Sequence, residues 1–263
     1  MPIDSPESQS GFWRARKFGK IDLVYFQHYY KFQIYSKCLE MASKKYTYAY
    51  PHPAVTTDIV VFTVREGRLK LLLIERNLTP FKGSWALPGG FVALDEDIDE
   101  CARRELAEET GVEDIYLEQL RAYGDPDRDP RERVITIAYF ALIASDKIQI
   151  RADTDAAAVN WFSVDELPKL AFDHAVIVDD AKKRLQGKLN SSAIAFQFLP
   201  AEFTLRELQQ VHEIIGEEEI DKRNFRKWVL GLDAIKETGK QTSTGAHRPA
   251  KLYRLSKSRK PKR

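Results

Sequence analysis

The sequence predicts an α/β protein in two parts, a layered domain of strands and two helices followed by a small module of two helices and a hairpin. Three observations carry that reading. Between residues 54 and 187, short β-branched and apolar runs alternate with two helical stretches, the pattern of a mixed layer structure. Beyond residue 198 the order becomes helix, basic helix, strand, loop, strand. Charge divides along the same line: residues 220–263 hold 14 Lys and Arg against 3 Asp and Glu, so in a chain of net charge +2 everything before them sums to −9. An acidic body with a basic end points to a polyanion as the partner of that end.

Taken in order, residues 1–45 form an N-terminal extension, aromatic-rich and without clear periodicity over the first 40. Two readings of it stand open: translation starting at Met41, which makes the upstream residues non-native, or an ordinary flexible arm. The layered domain is expected over 46–190. Residues 54–63, rich in β-branched side chains, and the apolar run 69–74 are separated by Arg65, Glu66 and Gly67, so they form a hairpin. Trp85, Pro88, Gly89 and Gly90 punctuate a loop, and 97–110 is strongly helical until Gly111 ends it. Strands follow at 115–123, 134–144 and 159–162, and an amphipathic helix at 173–187 closes the domain.

In the second module, 198–256, Thr204 and Glu207 have capping-box spacing at the start of a helix reaching residue 215. A second helix at 221–230 carries Lys222, Arg223, Arg226 and Lys227, with Phe225, Trp228, Val229 and Leu232 expected on its buried side. Strands at 234–237 and 251–255 flank a Gly/Ser/Thr-rich loop holding Lys240, His247 and Arg248. That order is expected of a winged helix-turn-helix, whose basic helix and wing meet the phosphates and bases of double-stranded DNA. Residues 257–263 are a basic tail, expected to be disordered.

Other classes are disfavoured. No stretch reaches the roughly 20 apolar residues of a membrane span. Asp22, His28 and Lys31 interrupt the segment after Arg14, Arg16 and Lys17, which argues against a signal peptide. Cys38 and Cys101 have no metal-like or CxxC spacing, so a reducing, cytoplasmic setting is expected.

The chemistry concentrates in one register. Gly90, Glu96, Arg104, Glu105, Glu108, Glu109 and Gly111 follow one another with five residues between the first two and seven between Glu96 and Arg104. Seven such positions coincide by chance less than about once in 10⁸ windows at average residue usage. Glu105, Glu108 and Glu109 stand at i, i+3 and i+4, so one helical face presents three carboxylates. Like charges that close destabilise a helix unless cations neutralise them. Hard oxygen donors suit Mg²⁺ or Mn²⁺, ions that also bridge phosphate oxygens. Arg104 and Glu96 read as an ion pair that fixes these carboxylates.

With Leu106 and Val112 in their aliphatic places, this run resembles the signature of the Nudix hydrolases at every specified position, and the likeness covers about residues 48–187. The resemblance implies an α/β/α sandwich, the Gly90 carbonyl as a further metal ligand, and hydrolysis of a nucleoside diphosphate linked to another moiety. Glu105, Glu108, Glu109, Arg104 and Glu96 would form the catalytic set. Nudix enzymes often carry the immediate base on a later loop; Asp153 and Asp155 are candidates for it, and polar turn residues before a strand are the equally open alternative.

Gly124 to Arg131, with Pro126 and Pro130, resembles the segment after the box in ADP-ribose pyrophosphatases. That implies cleavage of ADP-ribose to AMP and ribose 5-phosphate. Arg128 and Arg131 are candidates to meet phosphate or ribose oxygens. Arg76 is a candidate for the same cleft, because an arginine after an apolar strand rarely packs alone. Trp85 borders the region, with core packing its expected role.

Ala171, Phe172, Asp173 and His174, then 203–209, 221–226 and 248–253, resemble the landmarks of Nudix-related transcriptional regulators of NAD metabolism, which join an ADP-ribose-binding Nudix domain to a winged helix. This likeness runs from residue 48 almost to the end, and it implies a homodimer reading a two-fold DNA site. Such regulators often have a degraded box, whereas every acidic residue is kept here. Two functions therefore stand: an ADP-ribose hydrolase with an accessory DNA module, or a DNA-binding regulator with ADP-ribose as its signal and little hydrolysis. A bifunctional protein joins them.

Overall fold

The structure, a computed structural model, describes residues 49–111, 115–144, 156–189, 193–242 and 249–256. The expectations for residues 1–45, Val112, Asp153, Asp155, His247, Arg248 and the basic tail fall outside these residues.

Strand β1 (Ala54–Arg65) is the spine of a seven-stranded mixed sheet. It turns through Glu66 and Gly67, both at positive φ, into the antiparallel β2 (Arg68–Arg76). Two consecutive positive-φ residues match the right-handed twist of a two-residue hairpin, which explains the glycine. On its other side β1 runs parallel to β6 (Val134–Leu142), and β5 (Tyr116–Tyr123) pairs antiparallel with β6 at the edge. Two short strands lie within the expected loop: β3 (Trp85–Ala86) on β2 and β4 (Gly89–Phe91) on β1. Strand β7 (Ala156–Ser163), longer than its apolar centre suggested, pairs with β2.

Residues 56–63 of β1 are buried without interruption, because helices cover both faces of the sheet. The alternation of side chains decides which core each joins. Ile59, Val61, Tyr139 and Ala141 pack with Ala102 and Leu106 of helix α1 (Ile98–Thr110). Val60, Phe62, Ala138 and Phe140 face the other way, toward Ile177, Val178, Ala181 and Leu185 of helix α2 (His174–Lys188). This is an α/β/α sandwich.

The second core does not stop at α2. It continues through Ile194 and Phe198 of a 3₁₀ turn (Ala193–Phe198) into helices α3 (Leu205–Gly216) and α4 (Lys222–Gly231). Thr204 and Glu207 form the anticipated capping box, and Asp221 caps α4 by accepting the Asn224 N–H. Strands β8 (Ile235–Gln241) and β9 (Lys251–Leu255) form the wing hairpin, tied back where Phe203 and Tyr253 exchange backbone hydrogen bonds. Helices and hairpin make a winged helix. Gln186 Nε2 donates to the Ile215 carbonyl at 3.0 Å and Lys182 pairs with Glu217 at 2.5 Å, so α2 holds α3 directly.

Candidate active site and nucleic-acid interface

The turn from Leu87 to Gly90 lies between β1 and the box helix with no spare room. A β-carbon on Gly89 would stand 2.0 Å from the Thr57 carbonyl oxygen, and one on Gly90 2.3 Å from Glu105 Oε1. Asp97 opens α1 with a capping box to Glu100, and Gly111, in the left-handed region, ends it. The helix thereby presents its acids to the glycine turn. Gly89 N–H donates to Glu109 Oε2 at 2.8 Å.

Arg104 organises the rest. Its Nε and Nη2 reach Glu96 at 2.9 and 2.6 Å, and its Nη1 reaches Glu105 at 2.7 Å and Glu108 at 3.2 Å. Hydrogen bonding from Arg104 holds the Glu96 carboxyl down at about 2, and the same bonds raise the affinity of Arg104 for its proton. Burial pushes Glu105 up, opposed by Arg104. The anticipated Glu96–Arg104 pair thus exists, and its cation also offsets the crowded acids. Among the described residues no three acidic, His or Cys side chains converge on one metal position. Arg104 stands between Glu105 and Glu108 while Glu109 turns to Gly89. The donor set nevertheless fits a hard divalent cation: carboxylates on one helix face, beside a glycine whose missing side chain lets the backbone approach them.

Arg76 and Arg131 share one aromatic support. Their guanidinium carbons lie 4.7 and 5.9 Å from the Phe172 ring centre, and Arg131 is 5.4 Å from Phe91. Arg131 is bound through two nitrogens to Asp129. Arg76 donates to the Pro80 carbonyl and has no carboxylate ion pair among the described residues. Burial and the like charge of Arg131 lower its hold on its proton, while Glu109 and Asp58 act within electrostatic reach. Arg76, with Glu109 of the box within electrostatic reach and Arg131 beside it on Phe172, is a place for anionic oxygens.

Arg128 is buried in the wall of the cleft. Its side chain is 3% exposed and grips Asp173 at 3.0 and 2.7 Å and Asp58 at 3.2 Å. Burying a charge is costly unless it is paired, and two aspartates pair this one. Arg128 therefore braces the wall of the cleft. A cleft of about 560 Å³, lined by Phe81, Tyr123, Arg128, Phe172, Asp173 and Val176, opens beside it. Phe172 sits at φ 52°, a conformation bulky side chains rarely adopt, with its ring edge against Phe81 at 4.8 Å. Trp85 packs edge-on to Phe162 at 4.7 Å in the core, as expected.

The sequence reading gave no role to Asp58, and took Phe172 and His174 only as landmarks of the regulator resemblance. Asp58 carried a signal, since a carboxylate inside an apolar strand needs a buried partner. His174 is buried; its Nδ1 accepts the Leu87 N–H at 2.9 Å and its Nε2 lies 3.4 Å from Asp58 Oδ1.

On the winged helix, Lys222, Arg223, Arg226 and Lys227 are all exposed on α4, and no ion pair engages them among the described residues. Lys251 of the wing lies within electrostatic reach of Arg226, and Glu237 pairs with it at 2.9 Å. Phe225 and Val229 are buried as expected. Trp228 and Leu232 are not: they remain 37% and 49% exposed, because Trp228 meets His212 and Phe225 only at the helix edge and Leu232 follows the last turn. Lys240 is taken up by Glu202 at 2.9 Å.

The fold and the cleft define a Nudix domain carrying a winged helix. Residues 52–181 match the NUDIX domain family and residues 195–255 match the NrtR DNA-binding winged helix domain. The chain is 39% identical over 211 residues to the ADPR responsive transcriptional repressor NtrR of Acinetobacter baylyi, covering 79% of this chain and 84% of that one. It is 43% identical over 137 residues to the ADP-ribose pyrophosphatase of Methanocaldococcus jannaschii, covering 52% and 77%. Shewanella oneidensis NrtR in complex with a 27mer DNA superposes with a TM-score of 0.69 at 38% identity, over 77% of this chain and 93% of that one. The chain belongs to the NrtR family.

Proposed function

We propose that this chain is bifunctional: a Nudix hydrolase that cleaves ADP-ribose to AMP and ribose 5-phosphate, and a DNA-binding regulator that responds to the same nucleotide. The observation that carries the proposal is the coexistence, in one compact unit, of a complete acid box with Arg76 in electrostatic reach of Glu109 and a helix of four exposed cations. In hydrolysis, water adds to one phosphorus of the diphosphate and the P–O–P bond breaks. Gly90, Glu105, Glu108 and Glu109 would hold Mg²⁺ or Mn²⁺, which when bound supplies charge neutralisation and polarisation of the diphosphate. Arg76 and Arg131 orient the phosphate oxygens, and Arg104 with Glu96 keeps the acids in place. At the other end, α4 enters the major groove and β8–β9 follows the backbone, two copies of the chain reading a two-fold site in the cytoplasm.

The name of the Acinetobacter relative, a repressor responsive to ADP-ribose, supports a second reading in which the nucleotide is chiefly a signal and hydrolysis is weak. The intact acids and the pyrophosphatase relative support the first. Turnover of ADP-ribose with Mg²⁺, ranked by kcat/KM against nucleoside triphosphates and diadenosine polyphosphates, tests it. A lead for ADP-ribose is expected; a lead for an 8-oxo-purine triphosphate overturns the substrate assignment.

A further inference from the structure

We infer that His174 is a positioning residue of the hydrolytic site, holding the turn that sets Gly90 against the box helix; this rests on the hydrolytic half of the function proposed above. Strand β3 ends at Ala86, and the next residue but one is Pro88, which has no N–H. The Leu87 N–H is thus a buried donor beyond the sheet ladder, and such a donor needs a partner. His174 Nδ1, 87 positions along the chain, accepts it at 2.9 Å. With Nδ1 accepting, the neutral ring carries its proton on Nε2, which faces Asp58 Oδ1 at 3.4 Å. Asp58 is in turn held by Arg128, and Arg128 also holds Asp173, the residue before the histidine. The ring is therefore fixed from behind. Burial keeps it uncharged, against the pull of Asp58, so the Nδ1 lone pair stays available.

The turn is bonded on three sides. Pro88 O accepts the Ile59 N–H at 2.8 Å from the sheet, Gly89 N–H donates to Glu109 from the helix side, and His174 closes the third side. Both glycines already stand closer to their neighbours than a β-carbon allows. Displacements of an ångström in such sites cost on the order of 100-fold in rate. The polar partners of His174 are Leu87 and Asp58, and it reaches the box through Leu87.

The test compares His174→Asn, whose Oδ1 falls where Nδ1 stood, with His174→Phe, which keeps the ring but lacks the acceptor. For ADP-ribose with Mg²⁺, kcat should fall about 30-fold or more in the Phe variant with KM within about threefold, and the Asn variant should stay within about fivefold of wild type. Amide hydrogen exchange at Leu87 and Gly89 should be slow in wild type and Asn and fast in Phe. Should His174→Phe fail to fold, His174→Gln, whose amide reaches Asp58 but not Leu87, takes its place with the same expectation. A Phe variant within twofold of wild-type kcat, an Asn variant as impaired as Phe, or unchanged exchange at Leu87 overturns the inference. A wild-type protein that does not turn over ADP-ribose contradicts the proposed hydrolysis, and the exchange measurement alone then decides the role of His174.

Discussion

The amide of Gly89 donates to the carboxylate of Glu109 over 2.8 Å, joining the glycine turn to the last acid of the box helix. Glutamine at 109 keeps an oxygen to accept that bond, while it removes the charge and puts an NH2 donor in place of the second oxygen. Glu109→Gln should therefore lower ADP-ribose turnover about 100-fold or more while leaving the thermal transition within a few degrees of wild type. Steady-state kinetics and thermal denaturation measured together check it. Wild-type turnover by the variant would remove Glu109 from the catalytic set.

The winged helix should weaken in acid through His212. Its ring packs edge-on against Phe225 and Trp228 at 5.3 Å, and burial brings its pKa down from 6.5 to about 4. Protonation is thus harder in the folded state than in the unfolded one. The unfolded chain binds more protons below pH 6.5, so stability is full above that value and is lost as the pH falls toward 4. At about 1.4 kcal/mol for each tenfold change in protonation equilibrium, the loss across that window is roughly 3 kcal/mol. Denaturant melts from pH 7 to pH 4 measure it, and His212→Leu should flatten the limb.

DNA binding should depend on the charges of α4 rather than on its fold. Arg223 and Arg226 are exposed and outside the helix's buried side, which is made by Phe225 and Val229. Replacing both arginines with alanine should leave stability nearly unchanged and lower the slope of log K against log salt by about 2. Fluorescence anisotropy against the upstream DNA of its own gene, at several salt concentrations, reads both quantities. An unchanged slope would move the DNA contact elsewhere.

How much of this was legible in the sequence follows from how local each cause is. The capping box at Thr204 involves residues three apart, so that helix start could be read directly; the box at Asp97 has the same spacing, but the 97–110 helix was legible from its pattern and Gly111. The Glu96–Arg104 pair spans one loop and two helical turns and was equally readable. Strands of two and three residues at Trp85 and Gly89 carry no periodicity and looked like loop. The internal role of Arg128 was hidden because its partners lie 70 and 45 residues away. The same holds for His174, whose meaning depends on Leu87 and Asp58, and for Phe172, which offers no hint of positive φ in its identity.

The central claim is that one nucleotide and one DNA site act on the same chain, and α2 gives it a physical route. The helix starts at His174, directly after Asp173 in the Arg128 brace, and its far end holds the winged helix through Gln186 on Ile215 and Lys182 on Glu217. The most direct measurement is an anisotropy titration of the full chain on its upstream DNA, with and without saturating ADP-ribose whose bridging oxygen is replaced by methylene to prevent cleavage. The account predicts that the midpoint moves by about fivefold or more. Superimposable titrations, with the analogue shown to be bound, would contradict it.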